Sequence, residues 1–238
     1  MSHRALPSMA NLHTGLALRI QNARGKTTVD LSSLVMQWSE FDVSAFLCAL
    51  QHPEVLETLN LSKNIYINDV DVRNWLVPLI TRLPGLVELD LSVNAVGTMG
   101  VLAVVRALPN HDEHKVLNLS TVGIGGHWSD VSLLLSTICE LLTNLVELDL
   151  SKNPEMFDQV PLGDVDQICF PLKLKKLSIS ACGISDEHAD ALVPVLEELK
   201  DLEELTVSTG VQDKFIAALS RCRGTPPPLT VIGGGDGR

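Results

Sequence analysis

Aromatic residues make up only 4% of this 238-residue chain, with one tyrosine, three tryptophans and five phenylalanines. That scarcity argues against a single irregular interior, because large rings dominate the packing of such cores. Cysteine is also sparse: Cys48, Cys139, Cys169, Cys182 and Cys222 are scattered and include no CxxC pair. The spacing excludes a zinc site of paired cysteines, and the odd count fits reduced thiols used as small apolar groups. Positive charge is short as well. Eighteen Lys and Arg face 29 Asp and Glu, a net charge of −11, which disfavours non-specific binding to nucleic acid or anionic membrane. No run approaches the roughly 18 apolar residues of a membrane span. The opening stretch MSHRALPSMANLHTG has no continuous apolar segment of the kind a secretory signal needs. These absences lead to the expectation of a soluble, cytoplasmic, monomeric protein.

What is present is leucine, 40 residues of it. A core built from one aliphatic side chain implies many equivalent packing sites, so internal repeats are the first thing to seek. Four segments share L-x-x-L-x-L-x-x-N/C: LETLNLSKN (56–64), LVELDLSVN (86–94), LVELDLSKN (145–153) and LKKLSISAC (174–182). Degenerate copies lie at 26–34, 114–122 and 202–210. The middle apolar residue falls at Val29, Leu59, Leu89, Leu117, Leu148, Leu177 and Leu205, a repeat of 28 to 31 residues in seven units. Leu34, Val122 and Gly210 stand where the other units close on Asn or Cys.

Each unit changes period partway. The x-L-x-L-x segment alternates, as a short strand with one buried face does. Helix-period stretches follow at 96–110, 129–142 and 185–199, with Ser129, Asp130 and Ser185 placed to cap or lead their helices and Pro194 inside the last. Strands stack at about 4.8 Å, whereas helix axes need about 8–10 Å. A stack of such units must therefore curve, with the strands on the inside.

The strand–helix unit and its Asn/Cys closure resemble the ribonuclease-inhibitor class of leucine-rich repeats. So does the turn after Asn94, where Gly97 and Gly100 lead into Leu102 and Ala107–Leu108. The resemblance covers roughly residues 26–232 and implies an α/β fold: a curved solenoid with parallel strands on the concave face and helices on the convex face. The cysteine-clustered caps usual in extracellular members are missing. The expected organisation is an N-terminal arm or cap over 1–25, a solenoid over 26–224, and a cap strand with a flexible tail over 225–238. That class hosts inhibitors, immune sensors, GTPase activators and ubiquitin-ligase adaptors, so the fold does not settle the function.

Candidate binding residues come from the alternation. The positions flanking the middle apolar residue face away from the core and include Glu88, Asp90, Glu147, Asp149, Lys176 and Glu204, beside an unbroken column of serine (Ser32, Ser62, Ser92, Ser120, Ser151, Ser180, Ser208). This stripe suggests a non-catalytic protein-binding face for a partner with a basic surface. Since it has no aromatic anchors, further contacts are expected from loop residues Tyr66, Trp128 and Phe157, with Met99, His127 and Met156 near them. Chemistry has little support. GIGG (123–126) lacks the Lys-Ser/Thr of a phosphate loop and reads as a turn. His111 and His114 flank an acidic pair in what reads as a solvated loop. No cofactor or metal is implied. The competing reading is a GTPase-activating protein, for which Arg73 is the one arginine near a strand-to-helix loop.

Overall fold

The computed structural model describes Arg19 and residues 26–34, 46–48, 50, 52–65, 67–222 and 230–234. Apart from Arg19, the arm expected over 1–25 lies outside the described residues, as do Tyr66 and the tail beyond 234. Eight strands form one parallel sheet in chain order. They are β1 (Thr28–Asp30), β2 (Thr58–Asn60), β3 (Glu88–Asp90), β4 (Val116–Asn118), β5 (Glu147–Asp149), β6 (Lys176–Ser178), β7 (Glu204–Ser208) and β8 (Thr230–Gly234). Val29, Leu59, Leu89, Leu117, Leu148, Leu177 and Leu205 lie side by side in register, continued by Val231. The seven units read from the sequence are therefore seven rungs of one ladder. Their central side chains are buried, as is the next inward column: Leu31, Leu61, Leu91, Leu119, Leu150, Ile179 and Val207.

The ladder continues past the strands into the turn. Leu61 N–H donates to Asp90 O, Lys63 to Ser92 O, Leu91 to Asn118 O and Val93 to Ser120 O, and the same two-bond step joins the neighbouring units. To keep that step, the residue before each closing position, whether Asn, Cys, Leu34 or Val122, turns left-handed: Ser33, Lys63, Val93, Thr121, Lys152 and Ala181 have φ between 52° and 59°. None is glycine. The step changes at the last unit, where Ala181 N–H donates to the Ser208 hydroxyl instead of a carbonyl. There β7 runs on to Ser208 and helix follows directly, which is why Gly210 closes no turn.

Behind each turn sits a buried amide. Asn153 donates through Nδ2 to Leu119 O and Leu150 O, and its Oδ1 accepts from Val122, Gly123 and Ile124 N–H. Asn64 bridges Leu31 O and Leu61 O and accepts from Leu34 N–H. Asn94 bridges Leu61 O and Leu91 O, but among the described residues its Oδ1 has no donor. The Cys182 thiol replaces the amide by donating to Leu150 O at 3.1 Å. Leu34 and Val122 thus donate their N–H groups to the amide oxygen of a neighbouring unit, and the strands before them keep their register.

The convex side is less regular. Helix α1 (residues 69–80) contains a π turn at Val72–Leu76, just ahead of Pro78, whose ring nitrogen cannot donate. Helices α2 (Gly97–Ala107), α3 (Trp128–Leu141), α4 (Asp186–Glu197) and α5 (Thr209–Cys222) are continuous. Ser185 caps α4 as expected, its hydroxyl accepting from His188 N–H, and the helix runs on through Pro194. The cap expected at Ser129 is not formed: α3 begins two residues earlier than that cap implies, His127 is the N-cap residue, and no side chain caps it. In the fifth unit a 3-10 turn, Leu162–Gln167, replaces the helix.

Candidate functional site

Strand alternation places the flanking positions on the open concave face, half-buried between neighbouring strands. A shallow groove of about 290 Å³ runs across β4–β7, lined by Val116, Asn118, Glu147, Asp149, Lys176, Ser178, Glu204 and Thr206 among others. It brings together four of the six concave residues expected to bind; Glu88 and Asp90 lie on the adjoining strand β3.

These side chains are not equally available. Lys176 Nζ and Glu147 Oε1 are 2.7 Å apart across β5 and β6, and this hydrogen bond holds the Lys176 ammonium above the usual lysine range. At the rim, Lys175 pairs with Glu203 in the same way. Glu88 accepts from the Thr58 hydroxyl at 3.0 Å. Among the described residues Glu204 makes no side-chain hydrogen bond. Asp90 and Asp149 each use Oδ1 to accept the backbone N–H two residues on, from Ser92 and Ser151, both at 2.8 Å. Asp30, Asn60 and Asn118 do the same.

That repeated Asx turn explains why the column alternates Asp with Asn: the geometry requires the acceptor oxygen and is indifferent to the charge. Asp90 and Asp149 therefore have a structural duty and one oxygen left over. The first of the series, Asp30, also receives Arg19, whose guanidinium lies 3.2 Å from Oδ1. The Ser32 N–H bond leads the causes that hold the Asp30 carboxyl below its usual range. The serine column needs correction. Ser62, Ser92, Ser151 and Ser180 are buried, so they fill a narrow turn rather than face a partner. Ser151 and Ser120 hydroxyls bond to each other across adjacent units.

The loop residues divide sharply. Phe157 and Met156 are about 1% exposed and belong to the core, which removes Phe157 from the candidate surface. The ring of Phe157 packs at 52° to His188, whose Nε2 reaches Val160 O. Trp128 is half-buried against the core, while Met99 and His127 are exposed. Arg73 lies on α1, paired with Asp69 at 2.7 Å. The HDEH stretch is not a solvated loop. His111 and His114 both bond backbone carbonyls, of Val105 and Pro109, and His114 is buried. GIGG is an irregular stretch between β4 and α3, held by Thr98 through both the N–H and the carbonyl of Gly125. Among the described residues no cluster of His, Cys, Asp or Glu could hold a metal ion, and no helix is long and apolar enough to cross a membrane.

Two features escaped sequence reasoning. The Asx turns had a visible signal, Asp or Asn two residues before each serine in five units. The meeting of Cys139 with Cys169 had none, because it depends on the missing helix of the fifth unit.

No family model matches the chain. Its fold is similar to that of the leucine-rich-repeat-containing protein LegL7 from Legionella pneumophila, at 16% identity and a TM-score of 0.53, over 93% of this chain and 89% of that one. It is also similar to an internalin, InlF, from Listeria monocytogenes, at 15% identity and a TM-score of 0.51. That match covers 97% of this chain and 59% of the internalin. The chain has the fold of leucine-rich-repeat proteins. Within that fold its unit is a parallel strand, an amide- or thiol-closed turn, and a convex segment that is helical in most repeats.

Proposed function

We propose that this protein is a non-catalytic binding module, an adaptor or regulator, whose concave groove over β4–β7 takes a basic segment of a partner protein. The observation that carries this reading is the disposition of carboxylates there. Glu147, Asp149 and Glu204 line the groove, Asp90 stands beside it on β3 with one oxygen left over, and Lys176, already tied to Glu147, is the one cation in the lining. A curved, half-buried sheet face with surplus negative charge steers and orients a cationic segment; it supplies few of the large apolar anchors that give very tight binding. Affinity in the micromolar range and strong salt dependence follow. A monomeric, cytoplasmic chain is part of the same reading; the free thiols among the described cysteines support the reducing compartment.

The test uses substitutions that spare the turn. Reversing Asp90 or Asp149 to lysine would break the Asx turn along with the charge, so the informative variant is Asp90→Asn, Asp149→Asn, Glu204→Gln. Asn already fills the same column at Asn60 and Asn118. Fluorescence anisotropy with a panel of lysine- and arginine-rich peptides should show binding to the wild type that weakens about tenfold in the triple variant. It should also fall between 50 and 300 mM salt, by Debye screening. Equal binding by both proteins, or preference for acidic peptides, would refute the reading.

A further inference from the structure

The fifth repeat has a 3-10 turn where its neighbours carry α3 and α4, and Cys169, two residues past that turn, touches α3. Cys169 Sγ stands 4.0 Å from the carbonyl oxygen of Leu135. In an α-helix that oxygen accepts the amide of residue 139, so Cys139 sits one turn further along the same face. The two thiols are thus neighbours, close enough for each to shift the other's ionisation. Both are free and half-buried. Cys169 also lines an apolar cleft of about 420 Å³ that opens to solvent between Phe170, Leu172 and the α4 residues Pro194 and Val195.

We propose that Cys139 and Cys169 form a redox-active thiol pair, at which a hydroperoxide oxidises Cys169 and Cys139 then closes an intramolecular disulfide. In the first step the Cys169 thiolate attacks the distal peroxide oxygen. The O–O bond breaks, the sulfur becomes a sulfenic acid, and the leaving alkoxide or hydroxide takes up a proton. In the second, the Cys139 sulfur attacks the sulfenic sulfur, an S–S bond forms and water leaves with the Cys139 proton. Two thiols and one peroxide thus give one disulfide, one alcohol (water, for hydrogen peroxide) and one water.

The roles follow from position. Cys169 opens on the cleft, whereas Cys139 stands behind it on the helix. The Cys139 hydrogen bond favours the Cys169 thiolate and lowers that thiol to about 7, against opposition from burial and the Glu140 carboxylate. The same hydrogen bond, with burial and Glu140, raises Cys139. Cys182 provides an internal contrast: burial pushes its thiol up to about 12, and it serves as a hydrogen-bond donor in the core. The disulfide would tie the helix-free stretch of the fifth unit to α3.

The experiment treats the reduced full-length protein with stoichiometric hydrogen peroxide, blocks remaining thiols by alkylation, and maps peptides by mass spectrometry. The expected product is a peptide pair joined through Cys139 and Cys169, with Cys182 still alkylatable after unfolding. In Cys139→Ser the sulfenic acid at Cys169 should persist and be captured by dimedone; in Cys169→Ser, Cys139 should remain a thiol. On the wild type, limiting iodoacetamide should alkylate Cys169 before Cys139, a measurement that needs no variant to fold. The proposal is overturned if no 139–169 linkage forms while Cys48 or Cys222 is oxidised. It is overturned equally if Cys139→Ser yields no dimedone adduct at Cys169.

Discussion

The concave and convex sides of this molecule are made by the same seven units, yet only one side repeats. On the concave side the strands keep one register, and the left-handed residue, the Asx oxygen and the buried amide or thiol recur with small changes. On the convex side the units offer a helix broken by a π turn, two regular helices, a bare 3-10 turn, and a helix that runs through proline. Bond directionality accounts for the difference. Backbone N–H and C=O groups passed from one unit to the next must meet at fixed distance and angle, and a buried group left unmade is costly. Convex segments have only to cover apolar surface, which is non-directional and tolerates many shapes.

If that account is right, polar deletions on the concave spine should cost more than their size suggests. The largest effect is expected at Asn153, fully buried and holding two carbonyls and three amides. Asn153→Ala should lower stability by about 4 kcal/mol, since several buried groups lose their partners at once. Asn153→Cys should recover part of this, because a thiol can donate to a carbonyl but cannot organise three N–H groups. Urea unfolding followed by circular dichroism checks both. A loss near 1 kcal/mol for the alanine variant would break the comparison.

The apolar counterpart, in the loop that leads from β5 towards the convex layer, is Phe157→Ala. It removes a buried ring without touching the ladder, and should cost about 3 kcal/mol through the cavity it leaves. Unlike Asn153→Ala, it should be largely rescued by Leu or Met, since volume rather than direction is at stake. Failure of both to rescue, in the same unfolding measurement, would mean the convex side is as exacting as the concave.

The contrast also explains what could be read from sequence. Directional constraints fix residue types at fixed spacing, so the seven registers and Asn64, Asn94, Asn153 and Cys182 were visible in the letters. Burial on the convex side fixes only apolarity, and neither the 3-10 turn at Leu162–Gln167 nor the burial of Phe157 could be anticipated. For the groove, Glu147, Asp149, Lys176 and Glu204 follow from alternation alone. What alternation could not supply was the internal use of those groups: Lys176 tied to Glu147, Asp149 to its turn.

A smaller effect, opposite in sign, should appear where the spine imposes its geometry on an unsuitable residue. Val93 is β-branched and left-handed at φ 58°, a conformation costing roughly 1–2 kcal/mol for an L-residue. Val93→Asn should stabilise the protein by about 1 kcal/mol, because asparagine tolerates this region. Val93→Gly should gain less, since glycine's extra freedom in the unfolded chain offsets the relief. Thermal unfolding of the two variants decides it, and a lower midpoint for Val93→Asn would show that the Val93 side chain contributes more than its strain removes.

The smallest effect is expected at His114, a buried spine residue whose response to pH falls just below neutrality. It occupies the position filled by Leu56, Leu86, Leu145, Leu174 and Leu202 in other units, and is buried like them. Its Nε2–H donates to Pro109 O, and burial holds its pKa below the usual histidine value of 6.5. The folded protein therefore resists protonation of His114 while the unfolded chain accepts a proton readily. The stability contribution of neutral His114 is fully present above about pH 6.5 and declines as pH falls from there towards the lowered folded value. His114→Leu restores the residue the repeat otherwise uses, and should flatten this part of the stability profile between pH 7 and pH 5. It gives up one hydrogen bond to a carbonyl at the edge of the helix layer, but it also removes a group whose charged form the core cannot solvate. Urea midpoints at half-unit pH intervals measure the slope for both proteins. Equal slopes would place the acid sensitivity elsewhere and show that a directional polar group can replace leucine in the spine without consequence.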